Sequence, residues 1–238
     1  MKKPLSGRKA LVTGGTRGIG RAIAERLRDA GAKVTVTGTR PDGRAPRGCA
    51  YTAADFGRDG EAETFAAWAA SRGFAILINN AGINKPAPFA HIDVADFDRI
   101  QRVNVRAPFL LCRALLPGMA QRRWGRIVNV TSIFGVISRE GRGAYSASKF
   151  GLDGLTAALA AEAARNGVLV NSLAPGFVDT DLTRRILGPK GIKELVARIP
   201  LGRLAKPAEI ASLALWLCAE NTYASGQTFL IDGGFTRV

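Results

Sequence analysis

Short apolar runs alternate with amphipathic helical stretches along most of this chain, and that alternation restricts its fold more than any other feature. The runs at residues 9–13 and 75–79 are nearly continuous in apolar and β-branched residues and show no in-and-out polar alternation. Strands of this kind are buried on both faces, as in a parallel sheet covered by helices. The sequence therefore predicts an α/β fold: a single doubly wound domain over residues 1–238, with a seven-stranded parallel sheet and helices on both faces.

The predicted elements follow one another without a linker, repeat or low-complexity segment. Strands are expected at residues 9–13, 33–37, 50–53, 75–79, 126–131, 168–173 and 227–231. Helices are expected at residues 18–30, 59–71, 94–122 and 207–219, with a bend near Pro108, and a further helix carries the Ala- and Leu-rich run 150–164. Residues 180–200 are polar, contain Gly188, Pro189 and Gly191, and interrupt the alternation, so we expect an inserted loop or substrate lid there.

Composition places the chain among ordinary soluble globular proteins. It has 238 residues, of which 47% are hydrophobic and 22% charged. The apolar stretches are too short to span a bilayer, and no apolar core follows the basic N-terminus as in a signal peptide. Three scattered cysteines, Cys49, Cys112 and Cys218, indicate reduced thiols in a cytoplasmic protein and lack the spacing of metal ligands. We therefore expect no metal site and no membrane association.

The charge balance is strongly basic, with 34 Lys and Arg against 19 Asp and Glu, a net charge of +15. Such a field attracts phosphates, acidic proteins or nucleic acid. The basic residues form no block and no aromatic-interleaved recognition segment, so nucleic-acid binding is not expected. A generally Arg-rich surface, an anionic cofactor or an acidic carrier protein remain as explanations.

A glycine-rich turn connects the first predicted strand to the first predicted helix. It reads Thr13-Gly-Gly-Thr-Arg-Gly-Ile-Gly20, with glycines spaced G-x-x-x-G-x-G. In a Rossmann fold a turn in this place lets a diphosphate approach the backbone and rest on the helix N-terminus. An ordinary strand-to-helix turn would not need so many glycines. The turn therefore predicts a dinucleotide site.

The end of the second predicted strand favours NADP(H) over NAD(H). NAD sites place a carboxylate there for the ribose hydroxyls. This chain instead has Thr39 and Arg40, with no carboxylate before Asp42, and it has Arg17 inside the glycine turn. A guanidinium suits bidentate binding of a phosphate such as the 2′-phosphate of NADP.

Tyr145 and Lys149 are candidates for acid–base chemistry. Four residues apart on a helix, they share one face. A phenol titrates near pH ~10 and is a poor acid or base at neutrality, but a neighbouring ammonium favours its ionised form. Ser132, which ends an apolar strand-like run, could place a hydroxyl at the same substrate oxygen. A Tyr/Lys pair alone also occurs on many solvated helix faces.

Taken together and in order, these motifs resemble the short-chain dehydrogenase/reductase family over the whole chain. The resemblance includes Asn79-Asn-Ala-Gly82, Pro175-Gly176 and the ending Ser225-Gly-Gln to Ile231-Asp-Gly-Gly. It implies an NADPH-dependent carbonyl (ketone) reductase or alcohol dehydrogenase, an oxidoreductase acting on CH–OH and C=O groups. The family roles carry over to four catalytic residues. Tyr145 transfers the proton, Lys149 lowers its pKa and holds the nicotinamide ribose, Ser132 polarises the carbonyl, and Asn104 holds a water of the proton relay.

The resemblance also implies a set of cofactor contacts. The glycine turn and the end of the second strand would bind the phosphates, Asp55 and Phe56 the adenine, residues 80–82 the adenosine ribose, and residues 175–180 the nicotinamide amide. The full set is Gly14, Thr16, Arg17, Gly18, Ile19, Gly20, Thr39, Arg40, Asp55, Phe56, Asn80, Ala81, Gly82, Tyr145, Lys149, Pro175, Gly176, Val178 and Thr180.

The substrate stays open at this stage. Within the family the chain is most similar to 3-oxoacyl-[acyl-carrier-protein] reductases, and Arg126 and Arg165 match positions that dock the acidic acyl carrier protein. Sugar, polyol and secondary-metabolite reductases share the same signatures. Arg139, Glu140 and Arg142 lie where the substrate wall is expected, and they either face solvent or indicate a polar or anionic substrate.

Two further expectations follow from the family. A homo-oligomer, either a tetramer or a dimer, is implied by the resemblance. A non-catalytic NADP(H) sensor or scaffold on the same fold is the alternative of a different class.

Overall fold

All seven strands of the sheet run parallel, in the order β3-β2-β1-β4-β5-β6-β7. The fold is described from a computed structural model over residues 3–237. The strands are β1 (Lys9–Val12), β2 (Lys33–Gly38), β3 (Ala50–Ala53), β4 (Ile76–Asn79), β5 (Gly125–Val130), β6 (Val168–Pro175) and β7 (Thr228–Ile231). The strand order reverses between β1 and β4, and ligands of doubly wound proteins bind beyond the carboxyl ends of the strands at such a point.

Helices cover both faces of the sheet, as predicted. They are α1 (Gly18–Asp29), α2 (Glu61–Ala70), α3 (Val94–Gln101), α4 (Ala107–Gln121), α5 (Gly143–Ala163), α6 (Asp181–Val196) and α7 (Pro207–Ala219). One hydrophobic core joins α1 and α7 to the sheet, and a second joins α2, α4 and α5 to its other face. Successive β1 residues divide between the two, since Leu11 belongs to the second core and Val12 to the first. The predicted fold class is therefore confirmed.

The predicted 94–122 helix is interrupted just before Pro108. A π-helical turn, Arg102–Arg106, joins α3 to α4, and the amide of Ala107 bonds the Arg102 carbonyl five residues earlier. A proline ring clashes with the carbonyl four residues before it, which here is that of Asn104, and it offers no N–H. Widening the turn relieves this conflict and places Asn104 inside the irregular turn.

Residues 180–200 are largely helical, so the expectation of a loop there was wrong. Thr180 caps α6 by accepting a hydrogen bond from the Thr183 amide at 3.2 Å. The helix is broken at Gly188, whose φ of 61° and ψ of 177° are not helical. Glycine and proline usually end helices, so the sequence around Gly188 and Pro189 did not indicate the two helical pieces on either side of them. A role as a lid stays a prediction. Among residues 3–237, no helix combines the length and apolar character that crossing a membrane requires.

Four buried polar side chains, the polar row, attach α5 to the sheet. Asn79, Asn129 and Ser172 occupy paired positions on β4, β5 and β6. The Asn79 amide donates to Asn129 at 2.8 Å. The Thr156 hydroxyl of α5 accepts from Asn129 at 2.8 Å and from Ser172 at 2.9 Å, and it donates to the Leu152 carbonyl at 2.9 Å. Removing one member leaves buried donors unpaired.

We expect Thr156→Val to lower the free energy of unfolding by about 1–3 kcal/mol, because the Asn129 amide and the Ser172 hydroxyl lose their acceptor. Urea unfolding followed by circular dichroism measures the change. Thr64→Val is the matched control, since the exposed Thr64 hydroxyl also donates to a carbonyl four residues earlier, at 3.0 Å. The control should change stability by less than about 0.5 kcal/mol. Equal effects of the two substitutions would show that the polar row contributes nothing beyond a local helix contact.

Candidate active site

The glycine turn between β1 and α1 has the backbone that its glycines predict. Gly14 and Gly18 have φ values of +63° and +54°, a region that favours glycine. A Cβ at Gly20 would collide with the Asn80 side-chain amide and the Gly14 carbonyl oxygen. The turn therefore needs glycine at these positions to bring its backbone close to β4.

Thr13 and Asn80 tie the carboxyl ends of β1 and β4 together. The Thr13 hydroxyl accepts hydrogen bonds from the amides of Asn80 and Ala81, both at 3.0 Å. In return, the Asn80 side chain donates to the carbonyls of Thr13 at 2.9 Å and Gly14 at 3.1 Å. These bonds hold the glycine turn at the point where the strand order reverses.

A groove of about 740 Å³ runs along this turn. The predicted cofactor residues that line it are Gly14, Thr16, Arg17, Gly18, Ile19, Gly20, Thr39, Arg40, Asp55, Phe56, Asn80, Ala81, Gly82 and Thr180. The N-terminus of α1 opens on the turn, its first turn has no acidic residue, and no side chain in the described part caps it. Its free N–H groups suit a phosphate, so the groove fits a dinucleotide.

Arg44, Tyr51 and Arg99 are among the ten groove residues that were missed from the sequence. Arg44 could have been found, because it continues the basic character of the segment after Arg40. Tyr51 and Arg99 carry no local signal, since the fold brings them in from β3 and α3. The Tyr51 hydroxyl donates to the Arg40 carbonyl and so holds that segment. Asp42 does not line the groove.

The other predicted cofactor residues, Tyr145, Lys149, Pro175, Gly176 and Val178, lie outside this groove. Thr180, two residues after Val178, packs against the glycine turn, since a Cβ at Gly18 would lie 3.5 Å from its methyl carbon. Pro175 ends β6, and the Gly176 amide donates to the Ile231 carbonyl of β7 at 3.0 Å.

Ser132, Tyr145 and Lys149 come together beyond the carboxyl end of β5. Ser132 directly precedes a short 3₁₀ turn and accepts a hydrogen bond from the Phe134 amide at 3.2 Å. Tyr145 and Lys149 lie in the first two turns of α5, with the Lys149 Nζ 5.5 Å from the centre of the Tyr145 ring. Buried Lys149 also donates to the Val130 carbonyl at 2.9 Å. A hydroxyl, a phenol and an ammonium thus converge on one place.

Asn104 connects the segment after β4 to α5. Its buried side-chain amide exchanges two 2.9 Å hydrogen bonds with the backbone of Ile83 and donates a third, at 3.0 Å, to the Ser148 hydroxyl. Both of its N–H groups are used, so the side chain positions these two segments. The predicted role in holding a water stays a prediction.

Burial raises the pKa of Tyr145 above its usual value, which differs from the expected lowering by Lys149. The hydrogen-bonding Ser132 hydroxyl and the positive charge of Arg142 act in the opposite direction but do not outweigh burial. Taking the phenol out of water penalises the phenolate more than these partners stabilise it. In this structure the phenol is therefore held protonated.

Burial lowers the pKa of Lys149 to about 8, and the Asp153 carboxylate one helical turn further along opposes this shift. Asp153 accepts a hydrogen bond from the Thr228 hydroxyl of β7 at 3.2 Å. Burial also raises the pKa of Asp153 itself. Lys149 consequently exchanges its proton closer to neutral pH than an exposed lysine does.

Arg126 does not suit the predicted docking of an acidic carrier. It lies near the start of β5, while Ser132 follows the end of that strand. Its buried guanidinium donates to the carbonyls of Gly125 and Asn221, at 2.8 and 3.2 Å, and stacks on Trp124. These contacts use the group internally, so the expectation for Arg126 was wrong. Arg165 is exposed.

Known proteins resemble this chain over nearly its full length. Residues 14–236 match the family model described as enoyl-(acyl carrier protein) reductase. The 3-oxoacyl-[acyl-carrier-protein] reductase FabG of Aquifex aeolicus is 38% identical, covering 98% of this chain and 99% of its own.

Solved structures agree with the match. A gluconate 5-dehydrogenase from Burkholderia cenocepacia, in complex with NADP and tartrate, has a TM-score of 0.90 at 30% identity and covers 100% of this chain and 98% of its own. A 3-oxoacyl (acyl-carrier-protein) reductase from Agrobacterium tumefaciens with NADP bound has a TM-score of 0.88 at 33% identity, covering 96% and 94%.

We expect Asp153→Asn to lower the pKa of Lys149 below its value of about 8, because the carboxylate favours the ammonium. The ammonium would then be lost at a lower pH. The chemical shift of the Lys149 side chain over a pH titration, assigned with a Lys149→Met variant, measures the midpoint. Glu162→Gln, an exposed change on the same helix, is the control and should leave the midpoint in place. An unchanged midpoint in Asp153→Asn would contradict the coupling.

Proposed function

Because the chain belongs to the short-chain dehydrogenase/reductase family, we propose that it reduces a ketone to a secondary alcohol with NADPH, and that Tyr145 supplies the proton. The protein is an oxidoreductase acting on CH–OH and C=O groups. The observation that carries the proposal is the convergence of Ser132, Tyr145 and Lys149 next to a groove built by the glycine turn.

Tyr145 and Ser132 act on the substrate oxygen. The raised pKa of Tyr145 keeps the phenol protonated, as a proton donor must be during reduction. The Ser132 oxygen accepts from the Phe134 amide, and its O–H, which hydrogen-bonds the Tyr145 phenol in this structure, can turn to donate to a bound carbonyl oxygen. As that oxygen gains charge, the donor stabilises it without having to reorganise.

Lys149 holds the ribose next to the nicotinamide and renews the proton of Tyr145. Its hydrogen bond to the Val130 carbonyl uses one N–H and leaves two others. Its pKa of about 8 lets it give up and regain a proton near neutral pH. Asn104 bonds to Ile83 and Ser148, the chain neighbours of Gly82 and Lys149, and so keeps these two residues close together. A Cβ at Gly82 would lie 3.4 Å from the Asn104 Oδ1 and 3.6 Å from the Lys149 Nζ.

NADP(H) is the cofactor that the groove fits. When bound, it supplies the hydride. Arg17, Arg40 and Arg44 are exposed along the groove and would bind the 2′-phosphate, and Asp42 is not in position to prefer the free ribose hydroxyls. The two solved relatives described above also contain NADP.

Two substrate classes are candidates. Relatives that act on 3-oxoacyl groups attached to acyl carrier protein support the first. A ketone on a small polar molecule is the second, as in the structurally similar gluconate 5-dehydrogenase. The internal use of Arg126 favours the second, because it removes one of the two cations expected to dock an acidic carrier.

We also place the protein in the cytoplasm as a homo-oligomer, a tetramer or a dimer. Three free cysteines, Cys49, Cys112 and Cys218, support a reducing compartment. Phe109 on α4 and Phe150 on α5 are 46% and 47% exposed, which supports pairing of these two helices with a second copy.

We expect Tyr145→Phe to reduce turnover by at least about a hundredfold while NADPH still binds, because general acid catalysis is lost and the ring is kept. NADPH oxidation over acyl thioesters, sugars and cyclic ketones measures turnover, and calorimetric titration measures binding. Tyr223→Phe removes a hydroxyl from a side chain that is 96% exposed and should change neither. Retained turnover would contradict the mechanism. A wild-type protein that bound NADPH but reduced no ketone would instead be a sensor or scaffold.

Arg40→Ala should raise KM for NADPH about tenfold or more and change KM for NADH little, because only NADPH carries the 2′-phosphate. The ratio of kcat/KM for the two cofactors reports the change. Arg47→Ala removes the same charge from the same loop outside the groove and serves as the control. Equal efficiency of NADPH and NADH in the unmodified protein would contradict the assignment.

A further inference from the structure

A row of aromatic rings extends from Tyr145 to the C-terminal segment. Phe134 meets Tyr145 edge to face at 6.4 Å between ring centres and meets Phe177 in the same way at 6.2 Å. Phe177 in turn contacts Phe235 at 5.1 Å. The rings of Phe134, Phe177 and Phe235, the aromatic row, thus lie next to the proton donor.

Three arginines stack on this row. The guanidinium carbons of Arg139 and Arg142 lie 5.7 and 5.3 Å from the centre of the Phe134 ring, and that of Arg198 lies 5.5 Å from the centre of Phe235. A guanidinium stacked on a ring is held in orientation while its N–H edges stay available for hydrogen bonds. The three therefore present ready donors along the row.

These three charges have no carboxylate partner within residues 3–237. Two ion pairs elsewhere use the full guanidinium fork, those between Arg184 and Asp179 and between Arg203 and Glu209. No ion pair of the described residues includes Arg139, Arg142 or Arg198. Partly buried Arg142 also has its pKa lowered by burial and by the charge of Arg139. Like charges held together in this way favour an anion between them.

A cavity of about 630 Å³ lies at the Arg198 end of the aromatic row. Arg198 and Phe235 line one side of it, and Ile137, from the segment that carries Arg139, lines another. Its volume is in the range of pockets that bind small molecules. The charge of Arg142 acts on the Tyr145 phenol, so its guanidinium lies near the proton donor. An anionic group bound by Arg142 would therefore lie close to a ketone held at Tyr145.

We propose that Arg142, with Arg139 beside it, binds the carboxylate of the substrate, which is a small oxo-acid whose ketone is reduced at Ser132 and Tyr145. The inference rests on the proposed function and names its substrate class. The ketone carbon accepts the hydride of NADPH, the ketone oxygen accepts the Tyr145 proton, and the carboxylate is unchanged. An uncharged acyl chain on a carrier thioester offers no anion at this place.

Matched substrates test the proposal. Each of 3-oxobutanoate, 4-oxopentanoate and 5-oxohexanoate is compared with its methyl ester, which has the same ketone and no charge, with NADPH as the reductant. At one or more chain lengths the acid should have at least a tenfold higher kcat/KM than its ester. A 3-oxobutanoyl group attached to acyl carrier protein is tested as a further substrate in the same assay.

Arginine variants connect the preference to these residues. Arg142→Gln should lower kcat/KM for the acid by about tenfold to a hundredfold more than for the ester, as expected for lost charge-assisted hydrogen bonds. Any loss shared by both substrates reflects the effect of the Arg142 charge on the Tyr145 phenol. Arg142→Lys, which keeps the charge without the fork, should recover part of the loss. Arg72→Gln is the control, because Arg72 also stacks on a ring, that of Trp68 at 4.9 Å, far from the site.

The outcomes separate the two claims. Equal turnover of acids and esters, preference for the carrier-bound thioester, or equal loss on acid and ester in Arg142→Gln would overturn the carboxylate site and leave the reductase intact. The absence of turnover with every ketone, neutral or charged, would overturn the reductase and the carboxylate site together.

Discussion

The attachment of α5 to the sheet is the constraint on which the site depends. The Thr156 hydroxyl receives hydrogen bonds from β5 and β6, and Lys149, two turns earlier, donates to the Val130 carbonyl at the end of β5. Two anchors along one helix fix its height and its rotation. Because only Thr131 separates Ser132 from the end of β5, the phenol and the hydroxyl keep their relative position without flexible support.

The cofactor side of the molecule follows from strand order in the same way. β1 and β4 are neighbours, although many residues separate them in sequence, and Thr13 and Asn80 bond across their carboxyl ends. The glycine turn is therefore held by a partner from the other half of the sheet. Cofactor groove and proton donor both lie at one edge because all strands are parallel.

Local patterns predicted the fold class, the glycine turn and the Tyr145/Lys149 pair, since each depends on residues close in sequence. They failed where a distant contact decides. The buried position of Arg126 depends on carbonyls from Gly125 and Asn221, and the raised pKa of Tyr145 depends on burial by the whole site. The helical 181–196 segment was hidden by Gly188 and Pro189, which usually end helices. Tyr51 and Arg99 come to line the groove only through the tertiary fold, which no local sequence pattern reports.

The order of strands also bears on how the chain is made. During synthesis β1 finds β2 early, but its other edge stays open until β4 has emerged, and β5 stays open until β6 is complete. Pairings this far apart in sequence form slowly, and open parallel edges recruit other chains. The polar row closes only when Ser172 arrives. A nascent chain that stops before β6 therefore exposes apolar strand edges, and its safe folding depends on rapid completion or on chaperone protection.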